Sequence, residues 1–311
     1  MTLPTPDSPL RIGTRGSPLA LAQAEETRDR LRAAHGLDAE CFRIEIIKTT
    51  GDRVQDRALS EIGGKGLFTK EIEEALLAGH IDIAVHSMKD MPTVLPEGLV
   101  IPCLLPREDV RDGFVSLRHA SISALPEGAV VGSSSLRRRA QLLHRRPDLQ
   151  LVEFRGNVQT RLRKLDQGVA EATFLAIAGL RRLGQQDLAA NAIEPEEMLP
   201  AVAQGAIGIE IRESDKETAE LLAAIHDPET EIRLSAERAF LAGLDGSCRT
   251  PIAGLAEVDG DTVTFRGEII RPDGSECLTT ERRGTATDAA EMGRDAAAEL
   301  RQRGGGGFFQ A

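Results

Sequence analysis

VVGSSSLRRRAQLLHRRPDLQLVEFRGNVQTRLR, residues 130–163, carries arginines where helix chemistry disfavours them. Val130 and Val131 end an apolar run of β type and Gly132 turns the chain. Ser133, Ser134 and Ser135 are N-cap residues for a helix that Leu136 opens and Pro147 closes. Arg137, Arg138 and Arg139 therefore fall in its first turn, where an exposed cation opposes the helix dipole at a cost of about 0.3–1 kcal/mol. The free N–H groups at that end favour an anion, so an anionic ligand would reverse the balance. The pattern then repeats. Strand-like LQLVEF leads to Arg155, a turn at Gly156, Asn157 as N-cap and a helix with Arg161 in its first turns. Strand-like ATFLAIA runs into Gly179, Arg181 and Arg182. Three successive strands thus deliver guanidinium groups at their carboxyl ends, the edge where open α/β sheets bind ligands. Singly, each reads as a solvated surface arginine; as a set they point to a polyanion site.

The chain has 311 residues, enough for two or three domains and more than one core. A formal net charge of −11 argues against a general nucleic-acid binder, and the absence of Trp and Tyr removes most stacking platforms. Positive charge is local. MTLPTPDSPL lacks the basic start and apolar core of a signal peptide, and no run is long enough to span a bilayer, so a cytoplasmic protein with no membrane partner is expected. Cys41, Cys103, Cys248 and Cys277 show no CxxC spacing, and no HExxH or similar pattern occurs. Neither a disulfide framework nor a metal site is expected.

Near the N-terminus, LRIGTRGSPLALAQAEETRDRLRAAHG reads as a strand, a turn with Arg15, and a helix capped by Ser17 with Pro18 at its first position and Gly36 at its end. After the β-rich CFRIEIIKTT, the segment TGDRVQDRALSEIGGKG has the length and glycines of a binding loop, and its Lys65 can reach a carboxylate. Phe68 opens the next helix, as a core residue with a partial claim to ring stacking. IDIAVHSMKDMP supplies a strand followed by His86, Ser87, Met88, Lys89 and Asp90, a dense set of chemical groups in which Asp90 is the one acid of an otherwise cationic site. A boundary near residue 106 leads into the arginine-rich unit, and the Pro-flanked IEPEEMLPAVAQGAIGIEIRES, interrupted by Gln204, Gly205 and Gly208, marks a second crossing. Two helical stretches follow. SCRTPIAGLAEVDGDTVTFRGEIIRPDGSECLTTERRG then alternates around D-G and P-D-G-S turns as three antiparallel strands, and a helix over 287–302 closes a small α+β domain. GGGGFFQA has the composition of a disordered tail. Cys248, in LDGSCRTPI, has a guanidinium neighbour that favours thiolate and a helix C-terminus that opposes it.

RIGTRGSPLALAQA, GGKGLF, AVHSMKD, VGSSSLRRRAQL, FRGNVQTRL, AGLRRLG, PAVAQGAIGIE and GSCRTPI, in this order, give the chain a strong similarity to the porphobilinogen deaminase (hydroxymethylbilane synthase) family over nearly its whole length. The resemblance implies an α/β fold: two periplasmic-binding-protein-like, doubly wound domains around a cleft, and a small α+β C-terminal domain with a three-stranded antiparallel sheet. The implied boundaries are 1–105 with 206–223, 106–205, and 224–311. It also implies a dipyrromethane cofactor held by a thioether to Cys248. On that primer four porphobilinogen molecules are joined head to tail with loss of ammonia, and hydrolysis releases hydroxymethylbilane.

By the same resemblance Asp90 is the catalytic carboxylate. Arg137, Arg138, Lys89, Ser133, Ser135, Arg155 and Gly156 bind the cofactor, and Arg15, Ser17, Arg155, Arg161, Arg182, Lys65, Phe68, Ser87 and Gln204 bind substrate. Planar guanidinium forks suit the acetate and propionate that every pyrrole unit brings. A monomer without nucleic-acid partners is implied. Glu61 stands where relatives commonly place lysine, Ser133 replaces a frequent threonine, and Arg139 has no assigned role. The competing reading is a non-catalytic, two-lobed anion-binding module, in which Asp90 is dispensable and Cys248 bare.

Overall fold

The computed structural model describes residues 3–53, 68–189, 191–246 and 250–309. Their contacts divide into two units: 3–53, 68–108 and 205–231 make the first, and the rest make the second. Among the described residues no helix is long and apolar enough to cross a membrane.

The first unit begins with β1 (Leu10–Arg15), α1 (Pro18–His35), β2 (Phe42–Ile47) and the short α2 (Thr50–Arg53). It continues with α3 (Lys70–Leu77), β3 (Ile83–Ser87) and β4 (Leu99–Leu104). Helix α1 starts where expected: the Ser17 hydroxyl accepts from the Ala20 amide at 3.2 Å, Pro18 follows, and Gly36 ends the helix in the left-handed region at φ 64°. Strands β2, β1 and β3 run parallel, so β1 and β3 release their chains at the same sheet edge. Apolar side chains cover both faces. Ile12, Val85 and Cys103 meet Ala24 and Leu31 of α1 on one side, and Ala84 meets Ile72 and Leu76 of α3 on the other.

The second unit contains β5 (Asp112–Ser116), β6 (Val130–Gly132), α4 (Leu136–Arg145), β7 (Gln150–Val152) and α5 (Val158–Asp166). It then adds β8 (Ala172–Ala176), α6 (Ile177–Arg182) and the two-residue β9 (Ala192–Ile193). Its sheet order is β7-β6-β8-β5-β9, with β6 parallel to β7 and β8, and β5 antiparallel to β8 and β9. The three strands that deliver arginines are therefore parallel neighbours. After β9 the chain returns to the first unit, where β10 (Ile207–Arg212) inserts between β3 and β4, antiparallel to both, and α7 (Lys216–Ala223) follows. This makes the first sheet β2-β1-β3-β10-β4.

Helix α8 (Pro228–Gly243) precedes β11 (Ile252–Asp259), β12 (Thr262–Ile270) and β13 (Cys277–Thr285), an antiparallel three-stranded sheet, and α9 (Ala289–Gly304) ends the regular structure. Phe240 of α8 packs on Phe265 of β12 with ring centroids 5.0 Å apart. The buried Glu237 carboxylate accepts from the Ala203 amide at 2.6 Å and the Ala256 amide at 2.8 Å, tying α8 both to the sheet and to the segment that leads into β10. One expectation fails here. The glycine-rich tail does not read as disordered through residue 309: Phe308 is 3% exposed, and the Arg271 guanidinium lies 4.9 Å from its ring centroid. Two adjacent phenylalanines gave the tail apolar surface to bury, which outweighs the flexibility of its glycines.

Gly293 of α9 lies so close to α8 that a Cβ there would stand 2.1 Å from the Ala236 carbonyl oxygen. Overpacking against backbone costs about 1–3 kcal/mol, and Ala returns about 1 kcal/mol of helix propensity. Gly293→Ala is therefore expected to lose on the order of 1 kcal/mol net, seen as a lower urea midpoint at unchanged slope.

Candidate active site

In the first unit, the ends of β1 and β3 and the starts of α1 and α3 enclose a pocket of about 80 Å³. Arg15, Ser17, Gln23, Phe68, Thr69, His86, Ser87, Lys89 and Asp90 contribute to its lining. The Arg15 guanidinium stacks 4.2 Å from the Phe68 ring centroid, which fixes the orientation of its fork. Phe68 thus acts as a platform, and α3 starts two residues later with Thr69 at its N-cap. His86 and Ser87 still belong to β3, and a 3-10 turn over Met88–Asp90 follows. Asp90 is exposed and is the one carboxylate among the lining residues.

Ser87 exchanges hydrogen bonds with Gln23, the amide nitrogen donating at 2.8 Å and the serine hydroxyl donating to the amide oxygen at 3.0 Å. Gln23 was missed in the sequence, although a buried amide between Ala20 and Ala24 on the inner face of α1 is a legible signal that something polar must meet it. Lys65 and its loop lie outside the described residues, as does Cys248.

Behind this pocket sits a buried acidic group. His86 Nε2 lies 3.0 Å from Glu210 Oε2 of β10, with Glu210 wholly buried and His86 6% exposed. Glu73 of α3 is buried nearby, and burial, reinforced by the Glu210 charge, pushes its carboxyl up. One oxygen of each carboxylate and the Thr69 hydroxyl are buried without a hydrogen-bond partner. Such atoms cost about 1–3 kcal/mol each.

The second unit places Arg137 and Arg138 differently from the expectation that they await an external anion. Both are buried, at 4% and 8% exposure, and both donate to Asp112, at 2.6 Å to its two oxygens. Arg137 also donates to the Leu199 carbonyl at 2.8 Å and Arg138 to that of Phe174 at 3.0 Å. Gln204, expected to bind substrate, is buried too and donates to Asp112 at 2.9 Å and to the Val110 carbonyl at 2.7 Å. Burial drives the Asp112 carboxyl up, but the two guanidiniums outweigh that and hold it well below the usual carboxylate range.

The helix-opening cations thus have an internal counter-ion. Antiparallel β5 sets Asp112 opposite Ala176 at the end of β8, beside the start of α4. An acid opening the apolar run DGFVS was the signal. Ser135 caps α4 by accepting from the Arg138 amide at 3.4 Å, and the Ser133 hydroxyl accepts from the Ser135 amide at 3.3 Å, so both serines first serve the turn itself.

Beyond this triad positive charge accumulates. Arg161 donates Nε to the Gly156 carbonyl at 2.9 Å and also approaches the Phe174 carbonyl that Arg138 uses. Burial pushes its guanidinium down to about 10, with the charges of Arg138 and Arg155 adding to the effect. Gly156 has φ 122°, and a Cβ there would meet Thr160 at 2.6 Å, so only glycine makes this turn; Asn157 caps α5 through the Thr160 amide at 2.9 Å, as expected. Arg182 ends α6, while its neighbour Arg181 pairs with Asp109 at 3.1 Å. The Nε atoms of Arg137 and Arg138 are buried without a partner.

Two family models match: the porphobilinogen deaminase dipyrromethane cofactor binding domain over residues 10–220, and the porphobilinogen deaminase C-terminal domain over 232–302. The chain belongs to the porphobilinogen deaminase family. It is 71% identical to the porphobilinogen deaminase of Paracoccus denitrificans, over 99% of this chain and 98% of that protein. It is 60% identical to that of Nitrobacter winogradskyi, over 96% and 94%. The chloroplastic porphobilinogen deaminase of Pisum sativum is 58% identical, over 97% of this chain and 84% of that protein. Among solved structures, the Salmonella typhimurium periplasmic binding protein STM4351 aligns at 13% identity and TM-score 0.39, over 70% of this chain and 91% of that one. As a porphobilinogen deaminase the chain is a transferase of tetrapyrrole biosynthesis that works on a dipyrromethane cofactor. The non-catalytic reading is thereby set aside.

Asp112→Asn removes the anion between two buried cations and is expected to cost about 3–5 kcal/mol of stability, measured by urea unfolding. A second expectation concerns pH. Arg161 loses its proton as pH rises through about 10, so the affinity for a polycarboxylate is flat below that value and falls above it. Calorimetric titration across that range reads the effect, and it disappears in Arg161→Gln.

Proposed function

We propose that the first unit's pocket holds the reacting carbon, with Asp90 as the catalytic carboxylate, and that Arg155, Arg161, Arg182, Arg138 and Arg137 bind the acetate and propionate arms of cofactor and growing chain. What carries this reading is the pocket itself, in which a single carboxylate stands among Arg15, Lys89 and neutral donors. Porphobilinogen loses ammonia to leave a cation spread over a pyrrole ring, and an exposed carboxylate beside it lowers the barrier electrostatically without needing to be rebuilt each round. Arg15, oriented by Phe68, takes a substrate carboxylate, and Ser17, Ser87 and Lys65 complete the lining.

When bound, the dipyrromethane supplies the free α-carbon from which the chain grows. Its four carboxylates match the guanidinium excess around Arg161 and the turn at Gly156. Ser133, Ser135 and Lys89 add hydrogen bonds. We assign its thioether to Cys248. Gln204 acts through Asp112, keeping the buried arginines in register. We further propose three folding domains, with the third comprising the three-stranded sheet and α9, and a monomeric cytoplasmic enzyme; sedimentation at the mass of one chain tests the last point.

Two variants separate attachment from turnover. The intact mass of denatured protein is expected to exceed the sequence mass by two linked pyrroles, and Cys248→Ser loses the excess. Asp90→Asn retains it but turns over at least 10²-fold more slowly, within the range usual for a positioned acid–base or charge-stabilising group; near-normal turnover would remove Asp90 from the chemistry.

A further inference from the structure

We infer that His86, backed by Glu210 on the adjacent strand, is a second proton-accepting group of the first unit's pocket and takes up the proton released from carbon in each round of chain growth. This rests on the proposed place of Asp90 at the reacting centre and adds a separate destination for the proton.

The chemistry of one round supplies the reason. Porphobilinogen arrives with a protonated aminomethyl group, and the C–N bond breaks with its electron pair departing on ammonia. A π pair at the free α-carbon of the growing chain then makes the new C–C bond. The C–H bond at that α-carbon breaks last, its electrons restoring the aromatic ring and its proton passing to a base. The base hands that proton to ammonia, which leaves as ammonium, and the round balances. If Asp90 were that base, it would stay protonated and neutral until its proton passed to ammonia, and no carboxylate charge would be in place for the cation of the next round. A base placed elsewhere in the same pocket separates the two tasks.

His86 stands four residues before Asp90, and both line the pocket. Its Nε2 is 3.0 Å from Glu210 Oε2, and a carboxylate so placed takes the ring N–H on Nε2 and leaves Nδ1 as the nitrogen that accepts a proton. Glu73, whose carboxyl burial pushes up, lies behind this pair and interacts with both members. The buried carboxylate oxygens left without partners, on Glu210 and Glu73, are where a shared proton can reside. The charged groups around the imidazole are Glu210 from β10, Glu73 from α3, Arg15 from β1, and Lys89 and Asp90 from the turn after β3. Joining β3 to β10 does not need the pair, because backbone pairing already sets His86 opposite Gly208 and Ala84 opposite Glu210.

The test compares cofactor-loaded parent, His86→Gln and Glu210→Gln enzymes by the pH profile of kcat and by ¹⁵N-histidine NMR of the ring. For His86→Gln, kcat is expected to fall on the order of 10²-fold, with the acid limb of the profile lost and the cofactor mass excess and unfolding midpoint kept. For Glu210→Gln, kcat falls and the ¹⁵N signals of the ring move away from the parent's. Profiles that superimpose on the parent's, or a ring signal that does not respond to Glu210→Gln, overturn the inference. Should His86→Gln fail to fold, the Glu210→Gln profile and spectrum decide alone. Near-normal turnover in Asp90→Asn sinks the role of Asp90 instead, while an unchanged His86→Gln profile sinks only the relay.

Discussion

One buried carboxylate sets the terms for the second unit. Asp112 binds two guanidiniums and an amide inside the protein, and those three groups come from the start of α4 and from the segment that leads into β10. Burying two cations is expensive, and a single anion leaves the ensemble positive. Arg161 is held down first by its own burial, and the charges of Arg138 and Arg155 add to it. The fold thus tolerates an incompletely neutralised cationic corner, which is where we propose that the polyanionic cofactor binds.

The first unit solves the reverse problem. Its pocket has one exposed acid at the rim and two buried acids behind, separated by an imidazole. The acids differ in environment more than in kind. Asp90 is exposed to water, whereas Glu73 and Glu210 are removed from solvent. In the proposed mechanism, environment rather than residue type divides charge stabilisation from proton storage.

Much of this was legible in the sequence, for definite reasons. The caps at Ser17, Ser135 and Asn157, the turn at Gly156 and the three C-terminal strands follow local rules, and the structure has each of them. Arginines at matching strand ends were visible because strand order and helix starts are periodic signals. Their partners were not visible. Asp112 reaches Arg137 and Arg138 across about 25 residues of intervening chain and a strand reversal, and nothing local announces that β5 runs antiparallel. Gln204, read as a substrate ligand from its motif, is spent on that same acid. Glu210 drew no reading in the sequence, because its partner His86 is found only through the pairing of β10 with β3. The tail shows the opposite error, since its glycines were weighed more heavily than Phe308.

The insertion of β10 between β3 and β4 bears on how the polypeptide matures on the ribosome. Until residues 207–212 have emerged, the amino-terminal sheet lacks an inner member, and two strand borders stand open to the wrong neighbours. Synthesis from the amino end cannot finish that lobe first, as it can when domains are laid out one after another. The nascent chain must hold a half-built sheet in reserve while about 100 further residues are translated, which makes this interval the one where a chaperone would have most to protect.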